Sequence, residues 1–108
     1  MNENQTICKV DKFIVPHEAK EEFLAKVKET HQMLRQQPGF IKDYVLEKFA
    51  GPGEFNVVTL VEWENQNAID QAKAVIREDQ AKKGFNPPDL LKKLGIKADL
   101  SDYKHIEF

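Results

Sequence analysis

A carboxylate and an imidazole able to take a proton, and aromatic rings able to hold a flat molecule, are the chemically useful groups in this sequence of 108 residues. Asp11 lies within a strand pattern, ICKVDKFIV. If its side chain points under the helices, loss of water raises its pKa unless Lys9, Lys12 or another cation pairs with it, and it becomes a candidate base. The alternation that groups it with Phe13 also groups it with Lys9, so an ordinary solvated carboxylate is the competing reading. His31 falls on the apolar stripe of a helix, one turn after Val27 and three residues before Leu34. There a neutral imidazole facing a cavity can shuttle a proton; the plainer reading is a histidine at the stripe edge, bonded to water or backbone. Asp11 and His31 are the candidate catalytic residues.

Trp63 is the only tryptophan, at a strand end beside a predicted helix start, where a scaffold often presents side chains to a ligand. It can stack a flat aromatic molecule, or it can be a large core residue sealing sheet to helix. Phe13, Phe23 and Tyr44 complete the candidate substrate-binding set. A pocket packed shut by Phe13, Phe23 and Trp63 would leave no room for a ring. Tyr44, Tyr103 and His105 offer hydrogen bonds to a phenol or quinone oxygen, and suit surface or interface positions equally well.

The elements that must hold these groups read clearly. Residues 7–15 form a half-solvated strand that Pro16 ends. From His17 to Gln37, Phe23, Leu24, Val27 and Leu34 recur at helical spacing, with Glu18, Glu21 and Glu22 near the positive helix start. Pro38-Gly39 stops the helix. Two strands, about 40–49 and 55–63, flank AGPGE, a loop suited to an antiparallel hairpin. Asn65 or Asn67 caps a second helix with Ala68, Ile69, Ala72, Val75 and Ile76 as its buried stripe, and Gly84 closes it. A proline-started short helix, Asp89 to Leu94, interrupts the connector to a last strand near 100–108.

Composition narrows the function classes. Sixteen basic residues against eighteen acidic ones, interspersed along the chain, do not make a phosphate-binding surface, so no nucleic-acid partner is expected. No apolar run approaches the roughly 20 residues of a membrane span, and the start, MNENQTICKV, lacks the basic and apolar regions of a secretory signal. A cytoplasmic location without membrane association is the expectation. The lone Cys8 has no partner for a CxxC motif and reads as a buried structural thiol. His17, His31 and His105 lie on separate elements without the spacing of a local metal site, so no metal is expected.

The order β-α-β-β-α-β, with antiparallel pairing and right-handed crossovers, gives an α+β ferredoxin-like sandwich, one sheet under two helices. One domain spans residues 1–108, and residues 1–6 are expected to be flexible. The helices cover one sheet face only. The other would expose a share of Ile41, Val45, Phe49, Val58 and Leu60, an apolar patch that packing two copies together resolves; a homodimer is expected.

Pro38-Gly39-Phe40 with Tyr44, the hairpin, and the run VEWENQNAI around Trp63 together resemble the antibiotic biosynthesis monooxygenase-like family of dimeric α+β barrels, from Val10 almost to the end of the chain. That resemblance implies a range of roles: cofactor-independent oxygenases of polycyclic phenols, haem-degrading oxygenases, quinol oxygenases and domains without known activity. The haem-degrading branch carries an asparagine on the first strand, a tryptophan ending the third and a histidine on the second helix. Here Trp63 matches the tryptophan, Asp11 stands at the asparagine position, and the second helix has no histidine; both departures argue against haem. The reading is a cofactor-free monooxygenase of a small aromatic or quinone-type compound. The alternative is a noncatalytic ligand-binding or regulatory dimer.

Overall fold

The computed structural model describes residues 5–108, so the first four residues of the expected flexible stretch lie outside the described residues. β1 (Ile7–Ile14) is the hub of a four-stranded antiparallel sheet. β2 (Phe40–Glu47) and β3 (Val57–Trp63) form the hairpin, and β4 (Lys97–Lys104) closes the order β2-β3-β1-β4. Ile7 stands opposite Trp63 and Phe13 opposite Val57. Period-two alternation therefore puts Ile7, Lys9, Asp11 and Phe13 on the same face as Val57, Thr59, Val61 and Trp63.

Helices α1 (Lys20–Leu34) and α2 (Gln66–Lys82) cover that face. A 3-10 turn, His17–Ala19, precedes α1, and 3-10-type bonds from the Gln36 and Gln37 amides to the Met33 and Leu34 carbonyls replace its expected last turn. The Asn65 side chain caps α2 by accepting from the Ala68 amide at 2.9 Å. Ala68, Ile69, Ala72 and Ile76 make its buried stripe; Val75, expected there, sits one position off that stripe and is 44% exposed.

Three further boundaries differ from expectation. The hairpin loop, residues 48–56, is longer than AGPGE; the Asn56 side chain ties its end to Val15 twice, accepting from its amide and donating to its carbonyl, each at 2.8 Å. The last strand starts at Lys97 and stops at Lys104, since pairing with β1 runs from Lys97 opposite Ile14 to Lys104 opposite Ile7. In the connector, α3 (Pro87–Leu94) starts two residues early, where Asn86 caps Asp89 at 3.1 Å and the prolines forfeit only amides that a first turn leaves unpaired. Leu91, Leu94 and buried Ile96 pack against Phe13 and Phe23, so the connector belongs to the core.

Opposite the helices lies an uncovered face with Cys8, Val10, Lys12 and Ile14 of β1, Val58 and Leu60 of β3, and Tyr44 and Leu46 of β2. This corrects the expected patch. Val45 pairs with Thr59 and so shares the helix-covered side, Ile41 falls in the irregularity between Phe40 and Lys42, and Phe49 lies beyond the strand. Among the described residues, no helix is long and apolar enough to cross a membrane.

Gly39 locks the hairpin to α2. Its φ is 85°, and a Cβ there would stand 2.4 Å from the Ala68 Cβ. Gly84 also has a positive φ, 66°, but opens onto free space. Gly39→Ala should therefore cost roughly 2–4 kcal/mol, from left-handed strain plus overpacking, and Gly84→Ala about 1 kcal/mol from strain alone. Urea unfolding of the two variants measures the difference; equal losses would mean the Ala68 contact is not tight.

Candidate functional site

The covered face holds two separate apolar clusters. At one end Ile7, Val61 and Trp63 pack on Ala68, Ile69 and Ala72; at the other, Phe13 and Val57 pack on Phe23, Val15, Ala19 and Ile96. Between them the central rungs carry Lys9, Asp11 and Thr59, whose polar groups do not fill space as hydrocarbon does. The result is a cavity of about 590 Å³ between sheet and helices, with α3 contributing Leu90 and Leu91 to its wall. Its size and largely apolar lining with a few convergent polar groups suit a small organic ligand.

Asp11, Phe13, Phe23, His31 and Trp63 all line this space. Tyr44 does not: it stands opposite Leu60 on the uncovered face and is 50% exposed, because the bulge after Phe40 sets which β2 residues face the helices. Asp11 is held under the helices, where Lys9 Nζ donates to it at 2.9 Å. Burial nevertheless raises its pKa above the ordinary 3.8, outweighing that cation. Phe13 and Phe23 meet edge-on, centroids 4.9 Å apart, and close one end without closing the cavity.

Trp63 is only 2% exposed, with its ring edge-on to Phe40 at 5.9 Å. It supplies wall and core, and little free ring face for stacking. The half-buried apolar side chains Val27, Leu34, Leu90 and Leu91 leave more of themselves to a ligand.

His31, 5% exposed, is bound through Nδ1 to Asp43 Oδ2 at 2.8 Å. Asp43 also takes Arg35 bidentately, Nε at 3.2 Å and Nη2 at 3.0 Å. Burial disfavours its charge, but the hydrogen bonds from Arg35 and His31 prevail and hold its carboxyl below the ordinary range. An ionised carboxylate only accepts, so Nδ1 carries the proton of this bond, and in the neutral ring Nε2 is then the acceptor. Among the described residues no buried side-chain nitrogen or oxygen lacks a partner, so Nε2 is not shut into the core, and His31 lines the cavity. Asp43 was missed at the sequence level. The available signal was its position on a strand beside the helix stripe holding His31. Also missed was a basic rim, Lys26, Lys73 and Arg77, which with Lys9 outnumbers Asp11 and Asp102 around the cavity.

α2 brings Ile69, Ala72, Lys73, Ile76, Arg77 and Gln80 to the cavity. None of them is a customary axial ligand of haem iron, so the α2 wall does not fit a resident haem, and no step is derived through one.

Residues 6–74 match the model of the family described as antibiotic biosynthesis monooxygenase. Comparison with curated protein sequences gives no match. Among solved structures, the chain is similar to SnoaB, a cofactor-independent oxygenase from Streptomyces nogalater, with 22% identity, 96% of each chain covered and a TM-score of 0.67. It is also similar to a dimeric ferredoxin-like protein from an uncultured marine organism, with 15% identity, coverage of 96% of this chain and 98% of that one, and a TM-score of 0.69. A haem-degrading protein from Mycobacterium tuberculosis follows with 17% identity, coverage of 96% and 94%, and a TM-score of 0.61. At these identities the likenesses establish the ferredoxin-like fold.

Because the folded pKa of Asp43 is depressed, its contribution to stability is fully present above the ordinary value of 3.8 and is lost as pH falls through the lower, folded value. Asp43→Asn should thus lower stability by about 1 kcal/mol or more at neutral pH, with the gap from the parent narrowing below pH 3.8. Urea midpoints measured across that range check it. A gap independent of pH would mean that the charge of Asp43 is not what Arg35 and His31 stabilise.

Proposed function

We propose that this chain, which belongs to the antibiotic biosynthesis monooxygenase family, is a cofactor-independent monooxygenase of a small aromatic or quinone-type compound and works as a homodimer. The observation that carries this reading is the convergence of Asp11 and the Asp43-oriented His31 on one mainly apolar cavity of about 590 Å³. The cofactor-independent oxygenase with the same fold supports the reaction class.

The chemistry suits a substrate with an acidic C–H or O–H beside an aromatic system. A carboxylate whose pKa is raised by burial accepts a proton readily, and His31 Nε2 is a second acceptor on the same cavity. The resulting anion lies within the field of Lys9 and the basic rim, which stabilise negative charge more strongly in a dry cavity than in water. Such an anion reduces dioxygen by one electron, and the radical pair recombines to a peroxide at carbon. A proton returned to the outer oxygen gives the hydroperoxide; a base then removes the second C–H proton as the O–O bond breaks, the departing hydroxide takes a proton and leaves as water, and a carbonyl remains. For a methylene substrate the balance is one methylene and one dioxygen giving one carbonyl and one water, with all four electrons taken from the substrate.

Anthrone-like phenols and naphthoquinols offered in air should quench Trp63 fluorescence saturably and consume oxygen. Asp11→Asn and His31→Ala should each lower kcat by roughly 10²–10⁴, the usual worth of a positioned base, while the folded fraction by circular dichroism is kept. Quenching without oxygen uptake would favour the noncatalytic ligand-binding reading. Neither response across the panel would sink both readings.

The homodimer rests on the uncovered face, where Val10, Ile14, Val58, Leu60 and Leu46 make an apolar surface without helices over it, and on the dimeric protein of the same fold. Size exclusion with light scattering should give twice the 12.5 kDa of the chain. Leu60→Lys, central on that face, should shift the mass toward the monomer. A parent protein that runs as a monomer at micromolar concentration would remove the dimer.

A further inference from the structure

At the far end of the uncovered face, β1, β3 and the residue after β4 bring three different ligand types together. Cys8 stands opposite Glu62 in the β1–β3 register and opposite Tyr103 in the β1–β4 register. His105, two residues beyond Tyr103, reaches back across β1: its Nε2 lies 3.7 Å from Cys8 Sγ and 3.0 Å from Glu62 Oε2. One donor atom from each of the three residues falls within 4.8 Å of the other two. In a tetrahedral zinc site, with Zn–S about 2.3 Å and Zn–N and Zn–O about 2.0–2.1 Å, neighbouring donors stand about 3.3–3.6 Å apart. The two distances from His105 Nε2, 3.0 and 3.7 Å, lie on either side of that spacing.

Glu62 is the second indication. It is 7% exposed, a degree of burial a carboxylate rarely takes without a partner. Thr6 Oγ1 donates to its Oε2 at 2.6 Å and so fixes the direction of the carboxylate, as hydroxyls behind metal-ligating carboxylates do. Lys42 lies 3.7 Å from the other oxygen, Oε1. Cys8 itself, expected to be a buried structural thiol, is only half-buried and open to this face.

The geometry points to a divalent-metal site formed by Cys8 Sγ, Glu62 Oε2 and His105 Nε2, with zinc the best match to a mixed sulfur, nitrogen and oxygen set, and with a fourth position left for water or another donor. Binding replaces the His105–Glu62 hydrogen bond by two coordinate bonds. In the hydrogen bond to the Glu62 carboxylate the proton lies on His105 Nε2, so binding at Nε2 must displace it and leave a neutral ring protonated on Nδ1; the thiol gives one proton to solvent as the Zn–S bond forms. No residue of the cavity takes part, so this site is independent of the proposed oxygenation. The three ligands escape detection in sequence because they lie 54 and 43 residues apart and only the sheet joins them.

Titration of the purified, metal-stripped protein with Co²⁺ tests the proposal directly. One equivalent per chain should produce a thiolate-to-cobalt charge-transfer band and the intense visible bands of tetrahedral cobalt, and Zn²⁺ should displace it stoichiometrically. Cys8→Ser should abolish the charge-transfer band, and His105→Ala, at an exposed position that leaves the fold intact, should weaken Zn²⁺ binding at least about tenfold. Absence of saturable binding, a weak octahedral spectrum, or binding unchanged in both variants would overturn the site.

Discussion

The structure turns on a packing conflict in the middle of the sheet. Helices α1 and α2 can bury hydrocarbon only where β1 and β3 offer it, and those strands offer it at their ends: Ile7 and Trp63 at one, Phe13 and Val57 at the other. The rungs between carry Lys9, Asp11 and Thr59. A dry, close-packed interface over these side chains would leave polar groups without partners, which costs more than the contacts gain. The helices therefore bridge over the centre, and the same polar residues that prevent packing line the space that results. Site and fold defect are one feature.

The ends of the covered face were readable in the sequence because each is written in local signals. Pro38-Gly39 stops α1, Asn65 starts α2, and the stripe Ala68, Ile69, Ala72, Ile76 has helical period. Asp11, Phe13, Phe23, His31 and Trp63 reach the same cavity because strand alternation and helix stripes assign them to faces. Tyr44 was misassigned for the same reason in reverse: one irregular residue between Phe40 and Lys42 shifts every later β2 side chain to the other face, and nothing in FIKDYVLE announces it. Asp43 was missed by the same slip, since the register that sends Tyr44 outward turns Asp43 toward His31. Trp63 was visible as a site neighbour, but whether a buried indole shows a face or an edge depends on Phe40 and Ile69, which arrive from other elements.

β1 explains how so small a sheet can carry two separate sets of chemically useful side chains. Its odd residues, Lys9 and Asp11 among them, face the helices, while Cys8 and its even neighbours face the uncovered side. A substitution that slipped the register by one would exchange the two sets, sending Asp11 to solvent and Cys8 into the cavity. The double pairing of β1, with β3 on one side and β4 on the other along its whole length, makes such a slip costly. Rigidity of the central strand is thus a requirement of both faces at once.

Asp11 on the cavity wall and Asp43 behind His31 illustrate how the same group is given opposite tasks. Asp43 sits where Arg35 and His31 converge, so its charge is fixed and its role is to hold an imidazole in one tautomer. Asp11 has a single cation and a partly desolvated setting, so its charge is kept at a cost and proton capture relieves that cost. Environments that push like groups apart in proton affinity are the usual mark of divided acid–base labour. In the proposed reaction Lys9 would act twice: paired with ionised Asp11 it keeps the base charged, and once Asp11 has taken the proton its ammonium would be released to face the substrate anion. Net charge in the cavity would be unchanged by the transfer: the negative charge would pass from Asp11 to the ligand, and the Lys9 ammonium beside both would stabilise it in either place.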